Sequence, residues 1–132
     1  MKLSVISEIK KFKKTQKDWE GLFNKGNYSV FQCFEFNYYS WKIELSKNTQ
    51  NTLCIVEVRV KDVLIAILPL YLDSIRRLRI INDKHADFCN LLINDNCNLE
   101  DVLSNLRKQV SYNSVSFVNL KEDSIVYNFF KR

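Results

Sequence analysis

The chain has 132 residues, 20 Lys+Arg against 15 Asp+Glu for a formal net charge of +5, and an apolar fraction of 46%. At roughly 100–200 residues per domain this is a single domain over residues 1–132, with enough apolar and aromatic side chains for a true core. Only two glycines (Gly21, Gly26) and one proline (Pro69) occur, which excludes the glycine-rich loops of P-loop and G-x-G-x-x-G nucleotide sites, where backbone must approach phosphate with no Cβ in the way.

Residues Lys2–Ile9 alternate loosely and predict an opening strand. Trp19, Leu22 and Phe23 then fall on one face of a helix over Lys14–Lys25, with Gly26 placed to stop it. A second helix is expected over Phe34–Leu45, because Phe34, Tyr38, Trp41 and Leu45 form one apolar stripe. The period then changes to two. Leu53–Val60 puts Cys54, Val56, Val58 and Val60 on one face and Glu57 and Arg59 on the other. Lys61-Asp62 reads as a tight turn into Val63–Leu72, a continuous apolar strand that suits burial on both faces. Within it, Pro69 implies a bulge or a point where pairing to one neighbour stops.

Arg76–Ile81 predicts a strand with Leu78 and Ile80 inward and Arg77 and Arg79 outward. A polar loop over Asn82–Ala86 and a short strand over Asp87–Ile93 follow. Asn98 caps a third helix carrying Leu99, Val102, Leu103, Leu106 and Val110. Ser114–Leu120 is the last strand. Ser124 caps a terminal helix with Ile125, Val126, Phe129 and Phe130 on one side, an apolar face expected to fold back onto the sheet or to meet another chain. Helices around a run of strands give an α+β fold with one central, mostly antiparallel sheet.

The basic residues are spread along the chain, dense only in Lys10–Lys17 and Arg76–Arg79. They form no concentrated stripe with interleaved aromatics, so a solvated basic face is expected in place of a nucleic-acid site. Cys33, Cys54, Cys89 and Cys97 show neither C-x-x-C nor zinc spacing. With no secretory pattern in Met-Lys-Leu-Ser-Val-Ile, reduced thiols and a cytoplasmic location are expected. The longest uncharged apolar run, Val63–Leu72, is far short of the ~20 residues of a membrane helix, and no membrane partner is expected.

His85 is the only histidine. It has the intrinsic pKa of a general base, and Asp87 is placed to orient it. Arg76, Arg77 and Arg79 are suited to an anionic sugar or phosphate. No G-x-S-x-G elbow occurs, no catalytic residue is assigned and no metal site is expected.

Several segments resemble a known family. Phe31-Gln32-Cys33-Phe34-Glu35-Phe36-Asn37 is similar to the F-Q-S-x-E-W segment of FemAB-like acetyltransferases of cellulose and other polysaccharide biosynthesis, with Trp19 placed like the tryptophan of their preceding helix. Ile67-Leu68-Pro69-Leu70-Tyr71-Leu72 resembles their G-x-L-P-L strand, with Ala66 where the family has glycine. Arg76-Arg77-Leu78-Arg79 and Asp87-Phe88-Cys89-Asn90-Leu91-Leu92 resemble the strands that follow. The resemblance spans nearly the whole chain and implies the N-terminal lobe of a two-lobed GNAT fold. Family chemistry is acyl transfer from acetyl-CoA (acyl-CoA) to a sugar-like acceptor, and it gives Tyr71 the position of a general acid. In a GNAT domain the acyl-CoA pyrophosphate lies on backbone N–H groups at a glycine-containing turn. Here Ile93-Asn94-Asp95-Asn96-Cys97-Asn98 supplies no glycine. The resemblance therefore implies a catalytically incomplete lobe with no cofactor of its own. Its partner would be a second GNAT-like lobe or a second copy of the chain. A non-enzymatic interaction module assembling through the terminal helix is the alternative.

Overall fold

The computed structural model describes residues 1–86, 89–94, 96–120 and 123–131. The elements are β1 (Lys2–Ile6), α1 (Ile9–Lys14), α2 (Gln16–Lys25), α3 (Phe34–Tyr39), β2 (Thr52–Val60), β3 (Val63–Leu72), β4 (Arg77–Ile80), β5 (Leu92–Ile93), α4 (Leu99–Gln109), β6 (Ser114–Ser116) and α5 (Ile125–Lys131). Among the described residues the strands form one six-stranded sheet in the order β1-β2-β3-β4-β6, with β5 also on β3. The β4–β6 pair is parallel and the others antiparallel, so the α+β expectation holds. No helix among the described residues is long and apolar enough to cross a membrane.

The sheet is covered on both faces, and this explains the unbroken apolar run of β3. Ala66, Leu68, Leu70 and Leu72 pack with Leu99, Val102 and Leu106 of α4 and Val126 of α5. Ile67 and Tyr71 face Phe12, Trp19, Phe34 and Tyr38 of α1–α3. β2 divides in the same way: Cys54, Val56 and Val58 point to the α4 side, and Leu53 and Ile55 to the other. Arg59 crosses to Asp18 of α2 at 2.8 Å.

Four expected helical and strand boundaries differ. The opening strand stops at Ile6, an unexpected helix α1 follows over Ile9–Lys14, and the expected first helix begins only at Gln16, after a break at Thr15, whose hydroxyl donates to the Phe12 carbonyl at 2.7 Å. That back-bond supplies a local alternative to continuing the helix. The Phe34 helix widens at Ser40–Glu44 into a π-turn, marked by the Leu45 N–H reaching the carbonyls of both Ser40 and Trp41. Its apolar stripe nonetheless stays buried at Phe34, Tyr38, Trp41 and Leu45. Beyond Ser116 the last strand leaves the ladder, and Asn119 is left-handed with φ 56°.

The caps and turn follow the sequence closely. Asn98 accepts from the N–H groups of Glu100 and Asp101, and Ser124 accepts from Tyr127. Lys61 and Asp62 have φ of 51° and 66°, the pair of positive values that a two-residue type I′ hairpin requires. Gly26 has an extended backbone. A Cβ there would meet the Tyr28 ring, whose hydroxyl donates to the Ile93 carbonyl.

Candidate functional site

β4 and β5 lie along the same edge of β3, β4 opposite Leu70–Leu72 and β5 opposite Ala66–Ile67. They are two pieces of one strand path, parted by an excursion that leaves β4 through Ile81–Ala86. The break falls opposite Pro69. The Pro69 carbonyl accepts the Ile81 N–H at 2.9 Å, so the nitrogen without a proton faces this edge too, and the ladder to β2 on the other edge loses nothing. Pro69 therefore marks the point where pairing to one neighbour stops.

At the break the chain turns polar side chains inward. Asn82 and Asp83 are 1% and 5% exposed, although their segment was expected to be a polar loop. Asp83 Oδ2 accepts from Arg79 Nε at 2.9 Å, and Arg79 Nη1 stands 3.9 Å from Asp73 Oδ2. The same Asp73 oxygen accepts from Arg77 Nε at 2.7 Å. Asp73 Oδ1 takes the N–H groups of Ile75 and Arg77. The Arg79 guanidinium is 5.6 Å from the Tyr71 ring centroid. Arg77 and Arg79 point outward as expected, and each is in addition held by carboxylates because the turn at Asp73 and the excursion at Asp83 return alongside β4. From α3, Asn37 Nδ2 donates to the carbonyls of Phe31 at 3.1 Å and Cys33 at 2.8 Å, and Asn82 Nδ2 donates to the same Phe31 carbonyl. Oδ1 of Asn37, Asn82 and Asp83 is buried without a hydrogen-bond donor, and buried acceptors of this kind are ordinarily satisfied by internal water.

Electrostatics decide what this cluster can do. Burial, reinforced by the Asp83 charge, pushes the Tyr71 hydroxyl up to about 12, so it stays protonated and keeps its proton to donate. Burial also works to raise the Asp73 carboxyl, but the backbone and guanidinium hydrogen bonds of Arg77 outweigh it and hold the pKa below the ordinary value. Arg79 is desolvated, yet the hydrogen bond and charge of Asp83 leave its pKa raised. Two guanidinium groups and two carboxylates balance in charge, which makes the cluster a closed polar support for β3 and β4.

The sequence candidates separate. Tyr71 joins the cluster. Arg76 is left-handed at φ 62° and donates from Nε to the Ser111 carbonyl at 2.8 Å, while its own carbonyl accepts from the Asn113 N–H. It clips the β3–β4 turn to the loop before β6, so the structure commits this guanidinium to its own backbone. His85 Nε2 lies 2.8 Å from Glu44 Oε2, both side chains half exposed, and ties the excursion to the π-turn. Asp87 lies outside the described residues. Sequence reasoning missed Asp73, Asp83, Asn37 and Asn82; the available signal was opposite charges four residues apart, twice, at Asp73/Arg77 and Arg79/Asp83.

Elsewhere, the four cysteines are free. Burial raises Cys54 to about 12 and Cys89 and Cys97 to about 11, which keeps these three from acting as thiolate nucleophiles. Among the described residues no group of three or more His, Cys, Asp or Glu is placed to hold a metal. A cleft of about 500 Å³ runs between the end of α2, the start of β3 and the start of α5. Its polar groups include the Tyr28 hydroxyl, given to the Ile93 carbonyl, and the Asn94 side chain, which accepts the Asn96 N–H. Compared with known proteins, the chain matches no family model, no curated protein and no solved structure.

Proposed function

We propose that the chain is a GNAT-like, acyltransferase-type lobe that acts by binding beside a second lobe or a second copy of itself, and that it does not carry out acyl transfer alone. The family segments quoted above support the likeness, as does the parallel pairing of β4 with β6 across the connection that holds α4.

The observation that carries the second half of the reading is the turn entering α4. Five of its amides are already used. The N–H groups of Asn96 and Cys97 go to Asn94 Oδ1 and O, those of Glu100 and Asp101 to Asn98 Oδ1, and that of Val102 to the Asn98 carbonyl. Glu100 and Asp101 add two carboxylates in the first turn. A helix start binds diphosphate through free N–H groups and positive potential. Here the acids satisfy the helix dipole and these five amides are internally bonded, which disfavours an acyl-CoA pyrophosphate at this turn. Calorimetric titration with acetyl-CoA tests the reading: no saturable heat is expected in the low micromolar range, and a stoichiometric isotherm there would overturn it.

One observation favours assembly through α5 as a second reading. The terminal helix folds back, with Val126 fully buried and Phe129 packed on the same core, but Ile125 and Phe130 remain 38% and 42% exposed. Light scattering over a range of concentrations, on the parent and on an Ile125→Asp, Phe130→Asp variant, distinguishes the two. A concentration-dependent mass lost in the variant supports assembly through α5, and a monomer throughout removes it.

A further inference from the structure

The net charge of the molecule is concentrated in one place. Lys10, Lys11, Lys13, Lys14 and Lys17 contribute five positive charges within residues 9–17, which hold no acid, and the fifteen basic and fifteen acidic residues elsewhere cancel. All five lysines are exposed, because α1 points Phe12 into the core and its polar side outward. None of them forms an ion pair among the described residues. Of the neighbouring acids, Asp18 is held by Arg59 and Glu44 by His85, and Glu35 accepts from Gln16; Glu8 and Glu20 flank the segment.

The fold then adds the aromatic component that the linear sequence lacks. Lys13 Nζ lies 5.2 Å from the Tyr38 ring centroid and Lys42 Nζ 5.8 Å from it, so Tyr38 joins α1 to the π-turn. Tyr39 packs edge-on against Tyr38 at 5.2 Å and is itself 46% exposed. The open Tyr39 ring thus packs on Tyr38, which Lys13 of α1 and Lys42 of the π-turn approach, and four further exposed lysines lie on α1 and at the start of α2. The described arginines do not contribute, since Arg59, Arg76, Arg77, Arg79 and Arg107 all make internal contacts.

We propose that this face, Lys10–Lys17 with Lys42 and Tyr39, binds single-stranded nucleic acid without sequence preference. Lysines supply phosphate neutralisation and an exposed ring supplies a stacking surface that accepts any base. A face with lysine alone lacks the forked donors that read base edges. The proposal is independent of the acyltransferase reading and stands or falls without it.

Fluorescence anisotropy with labelled oligo-dT and oligo-rU over a salt series is the test, with circular dichroism melts confirming that each variant is folded. Binding at low salt is expected, with a log–log salt slope of about −4 for six lysines on a single strand, falling in magnitude by about 2 in Lys10→Gln, Lys11→Gln, Lys14→Gln. Tyr39→Ala is expected to weaken binding about tenfold through loss of stacking. No binding at low salt, an unchanged slope in the triple variant, or an unaffected Tyr39→Ala would each overturn the proposal. So would equal or tighter binding to anionic phosphatidylglycerol vesicles, which would assign the face to lipid.

Discussion

Arg79 and Asp83 show how a polar contact can be needed for folding without being an active site. The Asp83 side chain is 1% exposed and that of Arg79 is 22% exposed, so removing the guanidinium leaves a carboxylate in the interior with no counter-charge. Arg79→Leu is expected to destabilise by about 3–5 kcal/mol, while Arg79→Leu, Asp83→Leu recovers much of the loss, because an apolar pair needs no solvation. Chemical denaturation of the three proteins checks this. A double variant as unstable as Arg79→Leu would contradict it. Asp73 adds a pH dependence whose sign is fixed by its lowered pKa. Its contribution is complete above the unfolded carboxyl value of about 3.9 and is lost as pH falls through the lower folded value. Asp73→Asn is therefore less stable than the parent at neutral pH, and the two stability curves converge in acid. Curves that stay parallel would mean that Asp73 does not titrate as described. Asp83 was hidden in the sequence for a physical reason: between Asn82 and Lys84 it reads as solvated, and only the return of the excursion beside Arg79 buries it.

Among the elements, most of those specified locally were legible and those specified by distant partners were not. β2 and β3 could be read because alternating and continuous apolar runs report burial directly. The Asn98 and Ser124 caps were legible because capping is a contact within four residues. The break at Thr15 and the π-turn after Tyr39 were missed, the first although it rests on a local bond from the Thr15 hydroxyl to the Phe12 carbonyl. The division of one strand path into β4 and β5 was only half visible. Pro69 announced a stop in pairing, but which strand stops is decided by the chain that leaves β4 returning to the same edge as β5. Two predictions belong here. Asp62→Gly is expected to stabilise the hairpin by about 1 kcal/mol, because glycine takes φ near 66° without a Cβ penalty; a lower melting temperature would contradict the turn geometry. Trp41→Ala and Leu106→Ala are each expected to cost about 2–5 kcal/mol, one from either face of the sheet. A cost below about 0.5 kcal/mol for either, the level of an ordinary surface change, would show its packing to be misassigned.

For the molecule as a whole, a sheet covered on both faces has spent most of its apolar surface internally. Lysines and Tyr39 lie on the α1–α3 side, and exposed apolar side chains are spread over Val30, Ile43, Val63, Ile75 and Val118 as well as Ile125 and Phe130 of α5. The polar cluster at Pro69 is closed, and the turn before α4 is bonded to itself. The central claim is that the amides of Asn96, Cys97, Glu100, Asp101 and Val102 at the turn into α4 are not given to a diphosphate, and amide-resolved NMR tests it most directly. Acetyl-CoA added to labelled protein is expected to leave the amide resonances of Asn96, Cys97, Glu100, Asp101 and Val102 in place. Saturable shifts centred on those five amides would contradict the account.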